Sequence, residues 1–163
     1  MNYFKLFGAA LVLLSCTLSG FYFSYRLGLR LRFLGEMTDF LTRLKTNIRY
    51  FSDDVFRLIK ISAPSSLLSF FEKGTKPFCV YWESAAKSIS KSYSLNMEDY
   101  SNLIEFGRLL GTTDTEGQIS HIEIYKGIFT SAKNNFEKDC KIKSRLYKTL
   151  GFFSGAVLAI MII

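Results

Sequence analysis

Apolar positions recur three and four residues apart along most of the chain, the spacing of α-helices that bury one face. The longest run begins after Arg26 and predicts one helix that ends near Phe51. Its apolar positions are Leu27, Leu31, Leu34, Met37, Leu41, Leu44, Ile48 and Phe51. No stretch alternates apolar and polar residues as a half-buried strand would. The pattern therefore predicts an all-α fold, a bundle of about six helices.

Shorter segments with the same spacing follow, separated by residues that start or stop helices. Ser52 is predicted to cap a second helix that ends before Pro64, and a short third helix is predicted to end by Gly74 or Pro77. A fourth helix is predicted over residues 78–93 and a fifth after the capping residue Asn96. The apolar positions of these four helices are Val55, Leu58, Ile59, Leu67, Leu68, Phe70, Phe71, Trp82, Ala85, Ala86, Ile89, Leu103, Phe106 and Leu110.

The last helical pattern opens with Thr113 and Glu116, a capping box in which a Thr is followed by a Glu three residues on. Gly111 lies just before it, where the left-handed end of the fifth helix is expected. No proline interrupts the chain beyond this point, so we predict one helix of about 50 residues that continues to the C-terminus. Its apolar positions are Ile119, Ile122, Phe129, Phe136, Ile142 and Leu146.

Both ends of the chain lack charged side chains, over residues 6–25 and 149–163. Residues 6–25 would cover about 30 Å as a helix, the hydrocarbon thickness of a bilayer. A cleaved leader or a lipoprotein box at Cys16 would not need the apolar run that follows Cys16, so we expect an uncleaved transmembrane helix. Residues 149–163 would reach only about 22 Å, but are too apolar for an exposed tail. We expect a second transmembrane helix, with a tail packed on the domain as the alternative.

Three segments follow from this division: residues 1–25 with the first span, residues 26–148 as a helical domain, and residues 149–163 with the second span. The domain holds all 14 acidic residues and all but one of the 21 basic residues. The first span is expected to continue into the first helix of the bundle. The last helix of the bundle is expected to continue into the second span.

Basic residues crowd the ends of the domain next to both spans, whereas the outer flanks offer only Lys5 and the amino terminus. The positive-inside rule therefore places residues 26–148 in the cytoplasm. These side chains also attract anionic lipid headgroups. Because the basic residues lie next to the spans, attraction to lipid explains the net charge of +7 more simply than nucleic-acid binding does. The flanking residues singled out are Arg26, Arg30, Arg32, Lys141, Lys143, Arg145 and Lys148.

Patterns typical of catalysis or metal binding do not occur in the sequence. His121 has no second ligand at metal-binding spacing, and the acid pairs at 53–54 and 98–99 fall in predicted first turns of helices. No phosphate-binding loop or nucleophile elbow is found. In a cytosolic domain Cys79 and Cys140 are expected to be unreactive thiols. We expect a protein that is not an enzyme and needs no cofactor or metal.

Small residues in the two spans point to close helix contacts. Gly151 and Gly155 form a GxxxG step, and Ser15 and Ser19 form a similar step in the first span. Two interpretations stay open: the spans pack against each other, or they associate with another copy of the chain in a homo-oligomer.

Two spaced motifs in the last third of the chain resemble those of a known family. The segment 105–111, EFGRLLG, followed by Asp114 and Gln118, resembles the EFGxxLGxxDxxxQ signature of the stage III sporulation protein AB family. The segment 146–151, LYKTLG, with Gly155 beyond it, is similar to that family's closing KLYKxLGxxxG segment. The residues carrying the resemblance are Glu105, Phe106, Gly107, Leu110, Gly111, Asp114, Gln118, Tyr147, Lys148, Gly151 and Gly155.

The resemblance implies a component of the channel that links mother cell and forespore, located in the mother-cell membrane. It also implies a cytoplasmic helical domain akin to the platform protein of type II secretion and type IV pilus machines. The implied partners are other stage III sporulation channel proteins, in particular the secretion-type ATPase, stage III sporulation protein AA.

The motif residues also have an architectural interpretation from their chemistry alone. Gly107 permits a close helix crossing, Gly111 ends the fifth helix, and Asp114 with Gln118 organises the turn into the last helix. We expect a scaffold that docks partner proteins. The alternative is a module that the basic flanks hold against anionic lipid.

Overall fold

The computed structural model describes residues 2–50, 55–70 and 78–162 of the chain. These ranges contain no strand, and the elements are helices: α1 Asn2–Tyr50, α2 Val55–Ser62, α3 Ser65–Leu68, α4 Phe78–Tyr93, α5 Met97–Leu109 and α6 Thr115–Ile162. The predicted all-α bundle of about six helices is therefore confirmed. Predictions made for Phe51, Ser52, Asp53, Asp54, Phe71, Gly74 and Pro77 lie outside the described residues.

The first and last helices are long, as the absence of helix breakers predicts. α1 has 49 residues and α6 has 48, so each apolar end shares a helix with part of the domain. The chain divides into two compact units. The paired-helix unit comprises Met1–Leu29 and Phe136–Ile163, and the bundle unit comprises Arg30–Asn135.

The core of the bundle unit is built from aromatic and long aliphatic side chains. On α1, the predicted positions Leu34, Met37, Leu41 and Leu44 are buried. Phe33 and Phe40, which lie outside the predicted stripe, are buried equally deeply. The buried face of α1 is wider than its spacing suggested, because other helices cover more than one side of it; the Phe33 ring, for example, contacts the rings of Tyr93 and Phe129.

Helices α4 and α5 form a hairpin whose inner face follows the predicted pattern. Asn96 caps α5, since its side-chain oxygen accepts the Asp99 N–H at 2.8 Å. Gly111 follows α5 with a φ of +84°, a left-handed conformation that suits glycine. The predicted core residues Trp82, Ala85, Ala86, Ile89, Leu103, Phe106 and Leu110 are all buried.

Three local predictions are wrong. α3 is a single turn that ends at Leu68, whose side chain is exposed. α6 begins at Thr115, and its cap is Asp114 rather than Thr113, because the Asp114 carboxylate accepts the Gly117 N–H at 3.1 Å. Ile142 and Leu146 are exposed, because in the paired-helix unit α6 packs against α1 alone and buries only the narrow face that meets it.

Hydropathy distinguishes the two apolar ends. By length and composition, α1 is the one helix within the described ranges able to cross a membrane, with a mean hydropathy of 1.8 in its most apolar window. The apolar part of α6 is shorter and does not meet the same condition. The first expected span is therefore supported by composition, and the second stays a prediction.

Candidate functional site: a glycine seam and a helical corner

The two helices of the paired-helix unit approach each other closely along three glycines, which we call the glycine seam: Gly20 of α1 with Gly151 and Gly155 of α6. A Cβ placed on Gly151 would lie 2.8 Å from the Cys16 carbonyl oxygen and 3.1 Å from the Gly20 Cα. A Cβ on Gly155 would lie 3.2 Å from the Leu13 Cα. Because these neighbours are backbone atoms, a larger side chain would force the helices apart.

Polar and aromatic contacts continue the seam toward the charged end of the unit. The hydroxyl oxygens of Ser24 and Ser144 share a hydrogen bond at 2.6 Å, and the rings of Phe23 and Tyr147 lie 5.8 Å apart. Residue numbers rise along α1 as they fall along α6, so the two helices run antiparallel. The contacts of the GxxxG step are thus made within the chain.

The step predicted in the first span is misplaced by one residue. Ser15 and Ser19 are exposed, and the Ser19 hydroxyl donates to the Ser15 carbonyl oxygen of its own helix at 3.0 Å. Cys16, Gly20 and Ser24 line the seam instead.

The basic residues singled out beside the two apolar ends have different surroundings. In the paired-helix unit, Lys148 lies 5.5 Å from the centre of the Phe21 ring and Arg26 lies 6.0 Å from that of Tyr22. Four others form ion pairs, which are Arg30–Asp99, Arg32–Glu36, Lys141–Glu137 and Lys143–Asp139. Arg145 is exposed.

The Arg30 ion pair is an internal contact of the bundle unit. Arg30 Nε donates to Asp99 Oδ2 at 2.6 Å and Nη2 donates to Oδ1 at 3.3 Å. The Asp99 side chain is only 3% exposed and that of Arg30 18%. This pair joins α1 to the first turn of α5, and leaving one partner without the other would cost several kcal/mol. Nothing in the local sequence indicates it, since 69 positions separate the two residues.

A second internal carboxylate, Glu36, connects three helices. It accepts hydrogen bonds from Arg32 at 2.7 Å, from the Ser66 hydroxyl at 2.8 Å and from the Tyr93 hydroxyl at 2.9 Å. Burial alone would raise the pKa of Glu36, but the hydrogen bonds from Ser66, Arg32 and Tyr93 outweigh it, so the pKa falls below its ordinary value. For Tyr93, burial and the neighbouring Glu36 carboxylate raise the pKa of the phenol.

The family-like motif around residue 107 forms the helical corner, defined here as residues 105–118. Trp82 of α4 packs against α5, where its indole N–H donates to the Leu103 carbonyl oxygen at 2.7 Å. A Cβ on Gly107 would overlap the Trp82 ring. Phe106 packs edge-on against Trp82 at 5.5 Å and stacks on His121 at 5.5 Å. Gly107 therefore makes room for the central aromatic contact of the corner.

The turn from α5 to α6 completes the corner. A Cβ on Gly111 would lie 3.1 Å from Val55 and would also strain a left-handed backbone. The Gln118 amide donates to the Thr113 carbonyl oxygen at 3.2 Å, while Asp114 caps α6. Glu105 faces Tyr125, whose pKa is raised by burial and by that carboxylate.

Two side chains in the described part of the chain that could suggest chemistry, His121 and Cys140, have structural surroundings. No cluster of His, Cys, Asp and Glu able to hold a metal ion occurs there. The His121 ring nitrogen Nε2 lies 3.3 Å from the Phe106 carbonyl oxygen, a packing role. Burial raises the pKa of the Cys140 thiol, which disfavours the reactive thiolate form.

Fold and sites together define an all-α protein in which one unit is an apolar helix pair and the other is a helical bundle with an aromatic core. The sequence model of the family described as Stage III sporulation protein AB (spore_III_AB) matches residues 5–163. The chain is 25% identical over 168 residues to the protein named Stage III sporulation protein AB of Bacillus subtilis (strain 168), with 97% of this chain and 98% of that protein covered. The chain belongs to the stage III sporulation protein AB family. No solved structure matches it.

Proposed function

We propose that this chain is a non-enzymatic membrane scaffold of a sporulation channel, a secretion-like complex. Both apolar ends cross the cell membrane, which is the mother-cell membrane during sporulation, and residues 26–148 dock partner proteins on the cytoplasmic side. The observation that carries the proposal is the glycine seam, because it packs the two apolar ends of the chain on each other.

The exterior of the helix pair supports a membrane location. Only 12% of the most apolar window of α1 is buried, and the outward side chains of α6 are also large and apolar. Phe153 is 60% exposed and Ile160 is 75% exposed. Such surfaces are costly in water and favourable in lipid, where helices associate through small residues as they do at the seam.

The bundle unit supports a docking role. Its core is fully apolar apart from hydrogen-bonded groups such as Asp99, and no buried side-chain nitrogen or oxygen in the described residues lacks a partner. Because the buried polar groups are paired, the exposed side chains of the bundle are the groups that can contact a partner. The expected partners are other stage III sporulation channel proteins, and first among them the secretion-type ATPase, stage III sporulation protein AA.

The test is binding of purified stage III sporulation protein AA to the full chain in nanodiscs of zwitterionic lipid, with empty nanodiscs as the control. We expect binding that persists at about 0.3 M salt, where exposed charges are largely screened. Absence of binding at low and high salt would contradict the ATPase as partner.

The competing function is a module that binds the lipid surface. The exposed basic residues Arg26, Lys148 and Arg145 favour it. It predicts strong dependence on anionic lipid and loss of membrane contact at high salt once the apolar ends are removed.

A further inference from the structure

Helices α4 and α5 leave between them an open groove of about 580 Å³ on the surface of the bundle unit. Apolar atoms of Val80, Met97, Tyr100 and Ile104 line it. Met97 is 82% exposed and Val80 is 44% exposed, so water covers large apolar surfaces here. A groove that exposes apolar side chains on a water-facing domain is a candidate contact site.

The groove has fixed walls. The opposite faces of the same two helices are buried in the core through Trp82, Ala86, Leu103 and Phe106. The indole of Trp82 also hydrogen bonds to the backbone of α5. Since this packing holds α4 and α5 together, the groove exists before any partner arrives, which lowers the entropic cost of binding.

The charges along the groove are not balanced. Arg108 and Glu83 form an ion pair with each other at 2.9 Å. Lys87, also in the lining, is exposed and makes no ion pair within the described ranges. The groove thus presents an apolar floor beside one uncompensated positive charge, and a carboxylate is the group that complements it.

We propose that this groove is the docking site for an amphipathic helix of a partner protein. The apolar stripe of that helix lies against Val80, Met97 and Ile104, and one of its carboxylates pairs with Lys87. This inference rests on the proposed scaffold function, whose docking surface it identifies. A third helix fits a groove between two helices through interdigitating ridges, and an exposed methionine adapts to the shape of such a helix.

The charge pattern also argues against a second copy of this chain as the occupant. In a symmetric contact each groove would meet the same groove of the other copy. The one carboxylate that the lining of a second copy could offer to Lys87 is that of Glu83, which is already paired with Arg108. A partner that carries an acidic amphipathic helix supplies the missing carboxylate.

The test uses the full chain with the photo-crosslinking residue p-benzoylphenylalanine in place of Ser84, which is exposed in the lining. The variant is expressed in the sporulating bacterium that makes this protein, and the crosslinked segment is mapped by mass spectrometry. We expect a segment of a different protein with an apolar helical stripe and a flanking Asp or Glu. A crosslink only to a second copy, only to lipid, or to a segment without a carboxylate would overturn the proposal, as would no crosslink.

Matched substitutions make the test quantitative. Lys87→Glu should reduce the crosslink at least about fivefold, because attraction is replaced by repulsion. Lys91→Glu, also exposed on α4 but outside the lining, should leave it within about twofold. Met97→Ser should reduce the crosslink, and Leu109→Ser, exposed on α5 outside the lining, should not. Equal yields from each variant and its control would contradict the groove.

The outcome is separable from that of the nanodisc experiment. If the ATPase does not bind but the crosslink reaches an acidic helix of another protein, the groove stands and the ATPase is the wrong partner. If the ATPase binds equally to the Lys87→Glu and Lys91→Glu variants and no acidic helix is crosslinked, the scaffold function stands and the groove is wrong.

Discussion

The paired-helix unit and the bundle unit solve helix packing in opposite ways. In the paired-helix unit, Gly20, Gly151 and Gly155 bring two backbones together, and the large apolar side chains point outward. In the bundle unit, large side chains such as Phe33, Phe106 and Phe129 fill the interior. Burial of apolar side chains lowers the free energy in water but not in lipid. In lipid, close packing of helix backbones therefore becomes the main source of attraction between helices.

Glycine has a different neighbour in each unit. Gly107 in the bundle makes room for an aromatic ring from another helix, while Gly151 faces backbone atoms. The same residue type therefore serves side-chain packing in one unit and backbone packing in the other. Two glycine substitutions test this contrast, and two further substitutions test polar contacts of the bundle, in order of decreasing expected effect.

Gly107→Val should lower the free energy of unfolding of the bundle by about 3 kcal/mol, because the new side chain overlaps the Trp82 ring and displaces its buried hydrogen bond. Chemical denaturation of the full chain in detergent, followed by Trp82 fluorescence, measures the loss. Gly127→Val is the matched control in the interior of α6, since no atom lies within 4 Å of its added Cβ. Equal stability of the Gly107 variant and the control would refute the packing role.

Gly151→Val should separate the helix pair and leave the bundle stable. In a chain with Cys16, Cys79 and Cys140 replaced, Ser24→Cys with Ser144→Cys should form a disulfide readily, since the two hydroxyl oxygens lie 2.6 Å apart. Adding Gly151→Val should slow this disulfide at least about fivefold. Ser154→Val, on the exposed side of α6, is the control and should leave the rate unchanged. Fast disulfide formation in the Gly151 variant would show that the seam is not needed.

The Glu36 carboxylate should make the bundle sensitive to acid. Because its pKa is lower in the folded chain than the ordinary value of 4.5, its contribution to stability is complete above that value and is lost as the pH falls through the folded pKa. Melting temperatures measured from about pH 6 to pH 3 should fall less steeply for Glu36→Gln than for the unchanged chain. Glu137→Gln, which alters an exposed ion pair of the other unit, should keep the original slope. Parallel slopes for all three proteins would exclude the assigned role.

Asp114→Ala should have the smallest effect, a loss of about 1 kcal/mol in the unfolding of the bundle, since it removes the cap of α6. Thr113→Ala is the neighbouring control and should change stability by only a few tenths of a kcal/mol, because the Thr113 side chain does not cap the helix. A larger loss of stability for Thr113→Ala than for Asp114→Ala would contradict the Asp114 cap and support the capping box predicted at Thr113.

The elements were predictable because helix periodicity, caps and breakers are local. The continuous α1 and α6, the limits of α4, the Asn96 cap and the left-handed Gly111 all follow from neighbouring residues. The burial of Phe33 and Phe40 did not, because it depends on which helices later cover α1.

The contacts between helices were predicted less well. The Gly151 and Gly155 step is visible in the sequence, but its counterpart in α1 involves Gly20, and the sequence offered Ser15 and Ser19 at an equally suitable spacing. Only the packing of α1 against α6 determines which residues of α1 face the two glycines. The Arg30–Asp99 ion pair could not be predicted for the same reason, since no local sequence pattern indicates that helices so far apart in the chain are in contact.

The central claim is that both apolar ends cross the membrane while the bundle stays in the cytoplasm. The direct measurement is labelling of intact protoplasts with a membrane-impermeant maleimide. The protein carries Ile163→Cys and keeps the exposed native Cys79, while Cys16 and Cys140 are replaced. The account predicts that the thiol at position 163 reacts in intact protoplasts and that Cys79 reacts only after permeabilisation. A thiol at position 163 that reacts only after permeabilisation, or a Cys79 that reacts without it, would contradict the account.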